Sequence, residues 1–205
     1  MLGTLGIGGG TPKATVSGTT GSPTITSITG YTLYKWGSSG AGSITFDRAG
    51  WVRVLVVAGG GGGGGNNTAY GGAAGSGAVQ EAWIYVTPGT YNLQVGAAGS
   101  GSTGTGGNGG PSWLDKIYCR GGLGSSGNSG NTPSANGLKG GNGSTNESVS
   151  SDITGSSVTY GNPGQGSVSN PTARAANTGD GGRGASTSGG GAAGGSGVIY
   201  IAVPV

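Results

Sequence analysis

Histidine is absent from this chain, and cysteine, methionine and phenylalanine occur once each. Without histidine a serine or cysteine nucleophile has no imidazole to activate it. With a single cysteine as well, the ligand sets of ordinary zinc and iron sites cannot be assembled. Cys119 has no partner for an intrachain disulfide. Its place in the apolar run IYC at 117–119 reads as a small buried hydrophobe rather than a reactive thiol. Charge is also scarce: nine basic and six acidic residues make up 7% of the chain and leave a net +3, where an average soluble domain carries roughly 25%. The basic residues stand singly, so the phosphate-tracking stripe of a nucleic-acid binder is missing. The carboxylates Asp47, Glu81, Asp115, Glu147, Asp152 and Asp180 are dispersed, with no spacing that announces a glycosidase pair. No apolar run approaches a membrane span, and the N-terminus shows no basic stretch leading into an apolar one. The expectation is a protein that is not an enzyme, holds no metal or cofactor, inserts into no membrane, and is made in a cytosol.

Glycine fills the space the other residues leave, at 55 of 205 positions. Gly101, Gly104, Gly107 and Gly110 step by three, as do Gly121, Gly124, Gly127 and Gly130, with shorter sets at Gly137, Gly140, Gly143 and at Gly191, Gly194, Gly197. A step of three matches the left-handed extended helix with three residues per turn, which has no internal hydrogen bonds. Its backbone groups must pair sideways with neighbours. Chance phasing in so glycine-dense a text is the competing reading. The literal dinucleotide fingerprint Gly122-x-Gly124-x-x-Gly127 is such an accident, because no helix follows it to face a pyrophosphate.

Between the glycine tracts lie strand signals. They fall at 31–36, 43–46, 51–58, 78–86, 91–95, 113–114, 117–119 and 198–203, with a turn at Thr87-Pro88-Gly89-Thr90 and a hairpin tip at Asp115-Lys116. WVRVLVVA at 51–58 is apolar on both faces in its second half, as expected of a central strand. No segment has helical periodicity with caps. The predicted fold is all-β: an antiparallel β-sandwich-like scaffold with long glycine-rich insertions leaving one end, partly as polyglycine II helices. Phe46, Val54, Val56, Trp83, Leu93, Val95, Ile199 and Ile201 are the expected core. Trp36, Trp51, Trp83 and Trp113 read as core or interface rather than ligand stackers. Residues 1–30, small and polar with Pro12 and Pro23, read as an N-terminal attachment arm. Residues 31–205 form the glycine-rich β domain, almost strand-free between 120 and 197.

GYTLYKW at 30–36, SITF at 43–46 and VLVVA at 54–58 running into seven glycines form a pattern, continued by YNLQVGAAG at 91–99, the tract 189–197 and the strand 198–203. It resembles the glycine-rich domain of bacteriophage tail-fibre and other virion proteins, particularly from phages of marine bacteria and cyanobacteria, over residues 30–205. The resemblance implies polyglycine helices packed in a layered bundle whose distal loops bind host surface molecules. It implies no catalytic residues.

The candidate binding residues are the polar and aromatic groups that interrupt the tracts: Asn66, Asn67 and Tyr70, Tyr160 and Asn162, and Asp180 and Arg183. Planar and hydrogen-bonding groups on loops suit recognition without a deep pocket. The same residues can instead fill gaps between helices. The expected function is that of a virion tail-fibre or fibre-tip adhesin recognising a host surface polysaccharide or outer-membrane protein, released by lysis. The alternative is a decoration, cement or connector subunit. Other virion proteins would bind residues 1–30, and low charge with several apolar strands favours a homotrimer.

Overall fold

The computed structural model describes residues 12–65, 71–125, 148–166, 168–186 and 189–205, so Asn66, Asn67 and Tyr70 lie outside the described residues. Twelve strands are described: β1 (Thr15–Thr20), β2 (Thr24–Ile28), β3 (Tyr31–Trp36), β4 (Gly40–Arg48), β5 (Gly50–Val57), β6 (Val79–Val86), β7 (Gly89–Val95), β8 (Ser112–Leu114), β9 (Ile117–Cys119), β10 (Val149–Ser151), β11 (Val158–Tyr160) and β12 (Val198–Pro204). They form two five-stranded antiparallel sheets, β1-β4-β7-β8-β9 and β2-β3-β12-β5-β6, and a β10-β11 hairpin. No helix occurs among the described residues.

Alternation decides what each face meets. In β5, Val52, Val54 and Val56 point between the sheets and pack with Ile44, Phe46, Leu93, Val95, Ile199 and Ile201. Leu55 and Val57 point the other way, into a second cluster with Val198, Tyr200, Ile153 and Tyr160, where the β10-β11 hairpin covers the sheet. β5 therefore lies buried on both faces between β12 and β6, as its apolar second half requires. Trp83 departs from the expected core. It shares the outer face of β6 with Glu81 and Tyr85 and is 49% exposed.

The boundary at residue 30 also shifts. β1 and β2 lie within the segment read as an arm, and each forms the edge of one sheet, paired to β4 and β3. Gly21 (φ +77) and Ser22 (φ 51) carry the chain across from one sheet to the other. The short strands β10 and β11 fall inside the stretch read as almost strand-free.

Residues 59–65 leave β5 and run out of the sandwich. Their N–H groups donate in a cycle of three: Gly59, Gly62 and Gly65 to the carbonyls of Gly110, Gly107 and Gly104; Gly60 and Gly63 to Gly195 and Ala192; Gly61 and Gly64 to Gly75 and Gly72. Their carbonyls follow the same cycle. Gly59 and Gly62 accept from Gly122 and Ser125, Gly60 and Gly63 from Gly99 and Ser102, Gly61 and Gly64 from Gly182 and Ala185. This is the three-residue turn of polyglycine II. Partners with falling numbers are antiparallel and partners with rising numbers parallel, so up-running and down-running neighbours alternate around the centre.

The surrounding tracts bond to one another in the order 96–102, 104–110, 120–125, 71–78, 179–185, 191–197 and back to the first. Gly110 N–H reaches Ala97, Gly109 reaches Gly122, Gly75 reaches Leu123, Gly77 reaches Gly179, Ala192 reaches Arg183, and Gly194 reaches Gly99. A closed ring of six thus encloses one central helix. Residues 161–166 lie against its outside, with Gly164 N–H on Ala74 and Gly181 N–H on Asn162. The centre has no room for a side chain: a Cβ on Gly62 would stand 1.9 Å from the Ser100 carbonyl oxygen. Ser112 joins bundle to sandwich, its buried Oγ accepting from Gly96 N–H and donating to the Val57 carbonyl.

Candidate functional site

The bundle has a near end, where its tracts join strands, and a far end, where they join one another. Gly65, Gly71, Gly104, Ser102 and Ala185, bonded at the last levels of the lattice, stand at the far end. Residues 66–70 link two far-end positions, Gly65 and Gly71. Lys13 and Val205, joined by a hydrogen bond from Nζ to the terminal residue's carbonyl, mark the opposite pole of the sandwich.

The described candidate residues do not gather at the far end. Tyr160 is 2% exposed and packs edge-on against Tyr200 at 6.3 Å in the second core cluster. Burial pushes its phenol pKa up, with help from Tyr200, so this ring is held by the fold and presents no surface to a ligand. Asn162 and Asp180 do meet. The Asp180 carboxylate accepts from the Asn162 backbone N–H at 2.9 Å and from its Nδ2 at 3.0 Å. Asp180 is 8% exposed and lies at the near-end level of the lattice, its carbonyl taking Gly195 N–H. Arg183 sits one helical turn farther out in the same tract and reaches Thr172 Oγ1 at 3.4 Å. Beside them Arg174 is tied to the carbonyls of Gly181 and Pro163 at 3.0 and 2.9 Å. Burial lowers its pKa, the Arg183 charge adds to this, and Asp180 opposes both. The bonds of Asn162, Arg174 and Arg183 tie residues 162–163 and 172–174 to the 179–185 tract, directly or through Arg174, which makes the cluster a structural clasp on the flank of the bundle.

A surface group of another kind lies on the outer face of the β2-β3-β12-β5-β6 sheet. Arg53 on β5 is ion-paired with Glu81 across the strand pair and with Asp152 just beyond β10. Burial works against the Arg53 charge, but the hydrogen bonds to Asp152 and Glu81 outweigh it and raise its pKa; the same pairing lowers that of Asp152. Arg53, Asp152, Tyr31, Thr154 and Ser156 line an open cleft of about 490 Å³. Trp83, directly across from Arg53 in the β5-β6 register, carries the surface on, 6.3 Å from the Tyr31 ring. Trp51 and Tyr85 extend it in an edge-to-face pair at 5.5 Å. Sequence reading missed this face because it counted the apolar residues of β6 without their parity. Glu81, two positions before Trp83, is the signal that this side of the strand meets water. Among the described residues no cluster of His, Cys, Asp and Glu is arranged to hold a metal ion.

The model of a protein family described as a glycine-rich domain matches residues 37–167, more than half of the chain. No curated protein matches it.

Proposed function

We propose that this chain, which belongs to the glycine-rich domain family, is a bacteriophage tail-fibre or fibre-tip adhesin that recognises a host surface polysaccharide or outer-membrane protein. The observation that carries the reading is the polarity of the molecule. A backbone lattice carries Gly65, Gly71, Gly104 and Ala185 at one pole, while Lys13 and Val205 lie at the other. Loops on a rigid support are the usual place for recognition. In this reading the far-end loops meet the host, with Asn66, Asn67 and Tyr70 as the contact residues. The opposite pole joins other virion proteins, and three copies assemble around a shaft. Asn162 and Asp180 support the lattice.

Purified protein should compete with phage for adsorption to susceptible cells. Replacing Asn66, Asn67 and Tyr70 together by alanine should abolish that competition at an unchanged melting temperature. A folded triple variant that competes as well as the parent would remove those residues from the site. If the parent chain fails to compete and particles without it still adsorb, the connector or cement reading stands instead. The edge strands β1 and β2, largely exposed along their length, favour that second reading.

A further inference from the structure

The cleft on the sheet's outer face combines three properties that seldom occur together at random on a surface so poor in charge. Its one aromatic lining residue, Tyr31, leads onto an aromatic surface presented to solvent beside it: Trp83 is 49% exposed 6.3 Å from the Tyr31 ring, and Trp51 and Tyr85 are 42% and 48% exposed farther along. Its polar wall is preset, because Arg53 is held from two sides by Glu81 and Asp152, and Thr154 and Ser156 add hydroxyls. Its volume, about 490 Å³, falls within the ~300–1,000 Å³ range of small-ligand sites.

A ligand for such a place needs an apolar face for the rings and a hydroxyl-rich edge for the carboxylate and guanidinium. A pyranose ring has both. The charges narrow the class further. The Arg53 guanidinium is already paired with Asp152 in the cleft and with Glu81 beside it, so no free cation is left to hold the acid group of a uronic acid, sialic acid or phosphosugar, and these are disfavoured. We propose that this cleft is a binding site for a neutral hexose oligosaccharide, with one ring stacked on Trp83 and Tyr31 and its hydroxyls bonded to Asp152 and Arg53. The site lies on the flank of the sandwich, so it goes beyond the far-end recognition proposed above and does not depend on it. It would hold the side of the molecule against a glycan layer.

The test uses the full chain and four probes: cellotetraose, maltotetraose, tetra-N-acetylchitotetraose and tetragalacturonate. Tryptophan fluorescence and calorimetry should show binding of at least one neutral probe at concentrations below about 10 mM. Trp83→Ala should weaken it about tenfold or more and Asp152→Asn about threefold or more. Trp83 is half-exposed and Asp152 lies on the surface, so both variants should stay folded at the assay temperature, which melting curves check before affinity is read. Trp83→Phe, which retains a ring, should recover part of the affinity. The acidic tetramer should bind about tenfold more weakly than the best neutral one. The proposal is overturned if no neutral probe binds, if affinity is indifferent to Trp83→Ala, or if the acidic probe binds best. The Asn66, Asn67 and Tyr70 triple-alanine variant should bind the neutral probe with parental affinity, so loss of the cleft and loss of the far-end reading are told apart.

Discussion

A methyl group at position 62 would strike the Ser100 carbonyl at 1.9 Å, and at position 63 the Arg183 carbonyl at 2.0 Å. No rotatable side chain is available to yield, so Gly62→Ala must move backbone. We expect a loss at or above the ~1–3 kcal/mol of ordinary overpacking. Gly104 has only Ser102 Oγ within reach, at 3.9 Å, so Gly104→Ala should be neutral or stabilising by up to ~1 kcal/mol through the unfolded chain. Chemical denaturation of the two variants checks the contrast; equal losses would mean that the centre of the bundle is less tight than described. Asn162→Ala should cost about 1–2 kcal/mol, because it takes the Nδ2 donor from the buried Asp180 carboxylate. Cys119, 1% exposed and donating to the Val56 carbonyl at 3.3 Å, has its thiol pKa pushed from 9.0 up to about 12 by burial. The folded state thus keeps a proton that the unfolded chain releases. That contribution to stability is complete below pH 9 and is lost as pH rises from there towards 12. Cys119→Ala should flatten this alkaline decline in a pH series of melting curves, measured against the parent. A decline of unchanged slope would assign it to other groups, such as Tyr160.

At the level of the element, β1 and β2 carry the clearest consequence. Each completes one edge of a sheet by pairing along β4 or β3, and Trp36 on β3 donates from Nε1 to the Thr20 carbonyl at 2.8 Å. Deleting residues 1–28 should therefore lower the melting temperature sharply or prevent folding, whereas a true docking arm could be removed with no thermal effect. Scanning calorimetry of the truncated chain decides between them. These strands were hard to see in the sequence because edge strands need no apolar face. TVSGTT and TITSI are mostly exposed and read as polar linker. Buried strands such as β5, β7 and β12 were legible because their alternation or apolar run records which faces are covered. The period-three glycines were legible too, since the same step reappears in the bonding of 96–110 and 191–197. Which tract would lie beside which was not, because glycine has no side chain to name its neighbour. The candidate site was the least legible part. Tyr160 stood among polar residues in the sequence, yet the hairpin folds it under the sheet. Trp83 looked like core, yet it follows Glu81 outward.

The molecule as a whole has two kinds of interior, one made of side chains and one of peptide groups. They share a chain segment, since β5 continues without a break into 59–65. We expect them to unfold together. Hydrogen exchange should find the amides of Gly60 to Gly63 protected to a degree close to those of Val54 to Val57, although the former have no apolar contacts of their own. Rapid exchange at 60–63 with slow exchange at 54–57 would show the bundle opening on its own. The cycle of three donors also makes length a whole-number property. One turn rises about 9 Å, and each tract must gain or lose a full turn for every later N–H to keep its neighbour. A single inserted residue in one tract rotates all its outer donors by a third of a revolution, toward partners that are already engaged. Relatives of this chain should therefore differ in reach by complete turns shared among facing tracts, while their far-end loops vary in length without such restriction.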